Sequence, residues 1–207
     1  MSAVSLAGTA VSLAGSGALP WAGHRADGAA LILGAASWPQ APGDQLPAIA
    51  GFVTSSFSPL VAELAERCLR GYFGAPPADP ALGSRTAILV ASASGDIATA
   101  AAIAAAVDAG RRVPPLLFFQ SNPNAVIGYV AARWGLAGPV VATMPPADAL
   151  ADAHRSALLL MADGDADAVL VIVAEQAPAA DGGDHGIAQL VGPASWPPGA
   201  APPEPLS

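Results

Sequence analysis

The side chains able to do covalent or acid–base chemistry are few and scattered. The one cysteine, Cys68, would act as a nucleophile only if a neighbouring base or cation lowered its pKa, and no His or Lys lies near it in sequence. It falls on the apolar side of a helical repeat, where a buried structural thiol is expected. His24, His154 and His185 stand far apart, and none has a Cys, Asp or Glu at metal-ligand spacing. Asp163-Gly164-Asp165-Ala166-Asp167 has the rhythm of a calcium loop but lacks its closing Glu, so it reads as a helix-to-strand turn. Ser92-Ala93-Ser94-Gly95-Asp96 sits where phosphate loops sit, between a strand and a helix. It lacks the Lys-Ser/Thr ending and the spaced glycines, so helix capping is the reading. An independent enzyme working through Asp148, His154 or His185 has no nucleophile and base spaced to converge. The expected catalytic, cofactor and metal sets are therefore empty.

The elements that would position such groups alternate between strand and helix. Ala3 to Gly8 recurs as Ala10 to Gly15, two short alternating segments that suggest strands. Ala29 to Leu33 reads as a strand running into a loop at Trp38, Pro39 and Pro42. Ser58-Pro59 looks like a helix start with Ser as cap, and Leu60, Val61, Leu64, Cys68, Leu69 and Tyr72 then repeat at helical spacing up to Gly74. Thr86 to Ala91 is a strand, and Asp96 opens a helix that reaches Gly110 and is apolar on all sides, which predicts burial on most faces. Leu116 to Gln120 is a short apolar run, Asn124 to Trp134 a helix closed by Gly135, and Val140 to Thr143 a strand. A helix beginning about Asp148 stops at Asp163-Gly164, and Ala168 to Ala174 is a continuous apolar strand of the kind buried on both faces. The pattern predicts α/β layers. It divides as one domain over 1–178 and a Pro/Gly/Ala-rich tail over 179–207 with a short possible strand at 186–191.

Composition narrows the partners. With 53% hydrophobic residues among 207 and no apolar run of membrane-spanning length, one soluble core is expected. A formal charge of −8, with every cation an arginine, argues against a nucleic-acid footprint. A lone cysteine suits a reducing cytoplasm, and the uncharged first 23 residues lack the basic start of a secretory signal, so they read as structure.

Ser121-Asn122-Pro123-Asn124-Ala125-Val126-Ile127-Gly128 and the following Gly135-Leu136-Ala137-Gly138-Pro139 resemble the N-terminal half of β-ketoacyl synthases. There, an Asn-Ala-x-x-Gly helix leads into Gly-Leu-x-Gly-Pro and the strand before the nucleophile. Gly164-Asp165-Ala166-Asp167 and the closing Ala174-Glu175 are similar to that family's Gly-Asp-Ala-Asp strand. The resemblance implies an α/β thiolase-like fold, layered α/β/α around a mixed, mostly parallel sheet. Counting between the two blocks puts the family's nucleophilic cysteine on Ala147, and the family's Thr-Ala-Cys-Ser-Ser elbow reads here as Pro145-Pro146-Ala147-Asp148. Such an elbow uses amide hydrogens and a helix N-terminus to favour thiolate and oxyanion, whereas two prolines remove amide hydrogens and alanine cannot be acylated. The family's catalytic histidines lie in a C-terminal half; 32 residues follow Glu175 here, and that half is expected to be absent.

Cysteine-free ketosynthase-like chains are chain length factors, and this sequence resembles the short ones paired with ketosynthases in aryl polyene and highly reduced polyene clusters. The resemblance implies a non-catalytic cytoplasmic subunit with no cofactor, forming a heterodimer with an active ketosynthase, bounding the acyl-chain tunnel and meeting the acyl carrier protein only through that partner. It implies an interface at the strand Val140, Val141, Ala142 and Thr143, which would pair across the dimer axis, and at Asn124 and Tyr129 of the preceding helix. The other reading is a degenerate pseudoenzyme that acts as a stabilising or regulatory binder.

Overall fold

The computed structural model describes residues 25–26, 30–145, 147–177 and 183–193. The repeated segments Ala3 to Gly8 and Ala10 to Gly15, and His24, lie outside the described residues. Among the described residues six strands form one sheet: β1 (Arg25–Ala26), β2 (Ala30–Trp38), β3 (Thr86–Ala91), β4 (Val140–Thr143), β5 (Ala168–Glu175) and β6 (His185–Gly192), in the spatial order β1-β2-β6-β5-β3-β4. β5 pairs with β3 and β3 with β4 in parallel, while β6 runs antiparallel to both β5 and β2. Strands β2, β5, β3 and β4 therefore point one way and β6 the other, the mixed sheet the resemblance implies. β6 stands where the sequence suggested a short possible strand at 186–191, and it is a full ladder strand between β2 and β5. β2 also outruns its expected end and carries Trp38 inside the strand.

Burial of the central strands follows from their side-chain alternation. Ile88 and Val90 of β3, with Leu170 and Ile172 of β5, face one core; Ala87, Leu89, Val169 and Val171 face another. Both faces being buried, the strands read in sequence as unbroken apolar runs. The first core is closed by α1 (Phe57–Phe73) and α5 (Pro123–Trp134), the second by α6 (Ala149–Ala162). On α1, Leu60, Val61, Leu64, Ala65, Cys68 and Leu69 are buried, one stripe at helical spacing. Burying each leucine there contributes roughly 2 kcal/mol. The cap expected at Ser58 is corrected: the helix starts at Phe57 with Ser56 at the cap position, and Ser58 is buried inside the first turn. α6 approaches its sheet face through Ala153 and Ala157 against Ala87 and Ala91, small residues that permit close packing.

One further expectation fails. α3 (Ile97–Asp108) was to be buried on most faces, yet only Thr99 and Ala106 are. A helix made mostly of alanine has no bulky stripe to anchor it, so it lies against the fold on one narrow face and leaves the rest open. The run Leu116 to Gln120 belongs to a helix, α4 (Pro115–Ser121), in which Phe118 is 58% exposed. A short helix, α2 (Pro80–Gly83), capped by Asp79, completes the set.

The Gly-Leu-x-Gly-Pro stretch has a physical reason. Gly135 ends α5 in the left-handed region at φ 68°. Three residues later the chain crosses so near β3 that a Cβ on Gly138 would lie 2.5 Å from the Thr86 carbonyl oxygen, with neighbouring backbone atoms at 2.6 and 2.8 Å. No flexible side chain can yield there. Gly138→Ala is therefore expected to destabilise the chain by about 2 kcal/mol or more, read as a lower midpoint in thermal or urea unfolding, with an unchanged midpoint as the refuting result.

Candidate functional site

The C-terminal ends of β3, β4 and β5 lie side by side in register, Ala91 beside Thr143 and Val173, so the segments that leave them meet at one edge of the sheet. In α/β proteins this is where sites form. β4 ends at Thr143; Met144 is 71% exposed, Pro145 is buried, and Ala147 occupies an exposed bend before Asp148. The Asp148 carboxylate caps α6 by accepting from Ala151 N at 3.0 Å. Thr143 Oγ1 beside this bend is buried without a hydrogen-bond partner. The connection from β4 to α6 carries Ala147 at an exposed bend, and a methyl group can neither attack a carbonyl nor carry an acyl group.

The loop after β3 has an occupant of its own. The Glu175 carboxylate, at the end of β5, accepts from Ala93 N at 2.5 Å, Ser94 N at 3.2 Å, Ser94 Oγ at 2.7 Å and Ser92 Oγ at 3.2 Å. Amides that would meet a phosphate in a nucleotide loop are filled by the chain's own anion. Asp96 caps α3 by accepting from Thr99 N at 2.9 Å, as the sequence suggests. Next along, Gln176 accepts from Ala98 N and donates to Ser55 and Ser56. Sequence reasoning gave neither Glu175 nor Gln176 a role in this loop; the only local signal was a polar pair closing an otherwise apolar strand.

The remaining candidates have separate duties. His154 Nε2 lies 2.6 Å from Gln189 Oε1, His185 is exposed and sits across the ladder from Glu175, and Asp148 is the α6 cap. Cys68 is buried on the inner face of α1, and burial pushes its thiol up to about 12, so it stays protonated. Asp163 to Asp167 forms the helix-to-strand turn, with Arg85 donating to the Gly164 carbonyl at 2.7 Å and to Asp167 at 2.9 Å. Among the described residues no three His, Cys, Asp or Glu side chains gather as a metal site, and no helix is long and apolar enough to cross a membrane.

Of the proposed interface residues, Val140 is 51% exposed and Val140 to Thr143 form the sheet's edge strand. Asn124 and Tyr129 are exposed on α5. Tyr129 meets Phe52 edge-on and lines a separate cleft of about 220 Å³ between α1, α5 and the segment Pro47 to Ile49. At its floor Glu66 accepts from Arg133 Nε at 2.8 Å, Arg133 Nη2 at 3.0 Å and Trp134 Nε1 at 3.0 Å, and from Arg70. These donors, Arg133 foremost, hold its carboxyl down at about 2 against the opposing cost of burial. This network also escaped the sequence reading, because its members lie 67 and 68 residues apart.

A family model described as the N-terminal domain of β-ketoacyl synthases matches residues 78–181. The chain belongs to the β-ketoacyl synthase family. Among solved structures it is similar to a ketosynthase (ApeO) in complex with its chain length factor (ApeC) from Xenorhabdus doucetiae. The identity there is 18% over 75% of this chain and 68% of that one, with a TM-score of 0.58. It is also similar to the ishigamide ketosynthase/chain length factor, with 18% identity, 75% and 49% coverage and TM-score 0.60. A β-ketoacyl synthase from Burkholderia phymatum STM815 gives 18% identity, 73% and 46% coverage and TM-score 0.61. The likeness is one of fold, the thiolase-like ketosynthase fold. The chain spans about two thirds of the first of these chains and about half of the other two. No curated protein matches the chain by sequence.

The Glu66 network carries a pH dependence of definite sign. A carboxyl held at about 2 in the fold against an ordinary 4.5 stabilises the folded state above pH 4.5, and that contribution is lost as pH falls from about 4.5 toward 2. Glu66→Gln is expected to be less stable than the wild type at neutral pH, with the difference narrowing through that window. Parallel urea midpoints at every pH would refute this.

Proposed function

We propose that this chain is a non-catalytic chain length factor that pairs with an active ketosynthase in type II polyketide assembly, bounds one side of the acyl-chain tunnel and so sets product length. Ala147 carries the reading. It stands at the strand-to-helix elbow of a ketosynthase-type fold, where the resemblance puts the nucleophilic cysteine, and acyl transfer then has to use the cysteine of another chain. The products are polyenes in this reading, made in the cytoplasm. The ketosynthase meets the acyl carrier protein, because carriers of this kind are acidic and this chain carries −8.

Two surfaces support pairing. The Pro139 and Thr143 carbonyls accept from Ile88 N and Ser92 N of the β3 side, so by alternation Val140 and Ala142 turn their backbone groups outward. An edge of this kind can take up an antiparallel strand from a partner. α3 and α4 also expose Val107, Leu116, Phe118 and Phe119, apolar surface of the kind a subunit contact covers. Asn124 and Tyr129 extend the proposed contact along α5. The solved complexes of ketosynthases with chain length factors give the pairing a precedent of fold.

Co-expression with the neighbouring ketosynthase, followed by size exclusion with mass detection, tests the pairing; a one-to-one complex is expected. Ala142→Pro removes an outward amide and spares the β3 ladder, so the chain should stay folded while the complex weakens about tenfold or more. Undiminished binding by a folded variant would refute pairing at this edge. Bulk on the open face of α3, as in Ala101→Phe or Ala104→Phe, should shorten the product. Complexes whose products match with and without such bulk would favour the purely stabilising binder.

A further inference from the structure

α3 is held by little apolar packing, since Thr99 and Ala106 are its only buried residues. Its placement comes from polar contacts with two consecutive residues at the end of β5. Glu175 grips the lead-in loop through the Ala93 and Ser94 amides and the Ser92 and Ser94 hydroxyls. Gln176, 7% exposed, reaches α3 itself: its Oε1 accepts from Ala98 N, in the first turn, at 3.1 Å. Its Nε2 donates in the other direction, to Ser55 Oγ at 2.9 Å and Ser56 Oγ at 2.8 Å, where α1 begins. The acceptor of one buried amide serves one helix and its donors serve another, and the residue directly follows a strand buried on both faces. Ser55 Oγ accepts from Phe57 N as well, at 3.1 Å, so the α1 end of the bridge is tied to its own helix.

We infer that Glu175-Gln176 is a positioning clamp that fixes α3 to β5 and α1, and that Gln176 is the residue that sets where the open face of α3 stands. Resting on the proposed function, this makes Gln176 a determinant of product length that touches no substrate and acts through α3. Burial makes the clamp specific: an unserved Ala98 amide and a displaced side-chain amide in this position cost more than the same loss at the surface.

The test uses the full chain. In Gln176→Ala, amides 98–105 of α3 should exchange about tenfold faster while those of β5 and β6 keep their wild-type rates. Gln176→Glu keeps the acceptor for Ala98 N and can accept from both serine hydroxyls, so it should restore protection. In complex with the ketosynthase, Gln176→Ala should broaden the product-length distribution and Gln176→Glu should return it. Exchange in α3 within about twofold of wild type, or an unaltered product distribution from a chain whose α3 has loosened, overturns the inference. Should Gln176→Ala fail to fold, the Ser55→Ala/Ser56→Ala pair removes the α1 end instead; faster α3 exchange supports the clamp and unchanged exchange overturns it. A wild-type chain that leaves the ketosynthase's products unaltered refutes the chain-length reading, and the exchange experiment still decides the clamp.

Discussion

Strand β5 has no side open to solvent. Leu170, Ile172 and Ala174 face the core under α1, Val169 and Val171 face the core under α6, and β3 and β6 occupy its two edges. Its backbone groups are satisfied by ladders and its side chains by packing, so it is the element least free to move and the one against which the others are aligned. The elbow before α6, the loop before α3 and the start of α1 all take their positions from its C-terminal end, directly or through β3.

That arrangement separates scaffold from chemistry. The fold builds a strand-to-helix elbow with a capped helix behind it, the geometry that concentrates positive potential at a reacting group. The bend carries Ala147, and the neighbouring amides that could receive an anion hold Glu175 instead. Polar groups around the sheet's edge are thus spent on holding segments to one another. Apolar residues are also left outside, among them Val140 on β4 and Phe118 on α4.

The opposite end of α1 shows the same economy of charge. Eight arginines and sixteen acids give a net −8, and Glu66 gathers Arg70, Arg133 and the Trp134 indole about one carboxylate. The cluster joins α1 to α5 above the first core. Packing supplies most of the adhesion between these helices, and the hydrogen-bonded charges fix their register.

Much of this was legible in the sequence. The strands Thr86 to Ala91 and Val140 to Thr143, the stop at Gly135 and the buried Cys68 follow from local pattern, because strand alternation, helix caps and left-handed glycines are decided within a few residues. Ala147 falls between β4 and α6 for the same reason: both the strand and the helix are recognisable in local pattern. What local pattern could not reach was decided by partners distant in the chain. β6 reads locally as a short possible strand, and its place between β2 and β5 is set by pairing with both. α3, apolar throughout, stays open because alanine offers too little side chain for neighbours to bury, and hydropathy alone does not measure that. Glu175, Gln176 and Glu66 find donors on segments far from them in sequence, and a hydrogen bond across the fold leaves no periodic trace in either segment. The sequence by itself determined most of the strands and helices and put Ala147 between a strand and a helix; the tertiary structure alone decided which polar groups meet and which apolar surface is left uncovered, since both depend on distances that exist only once the sheet has formed.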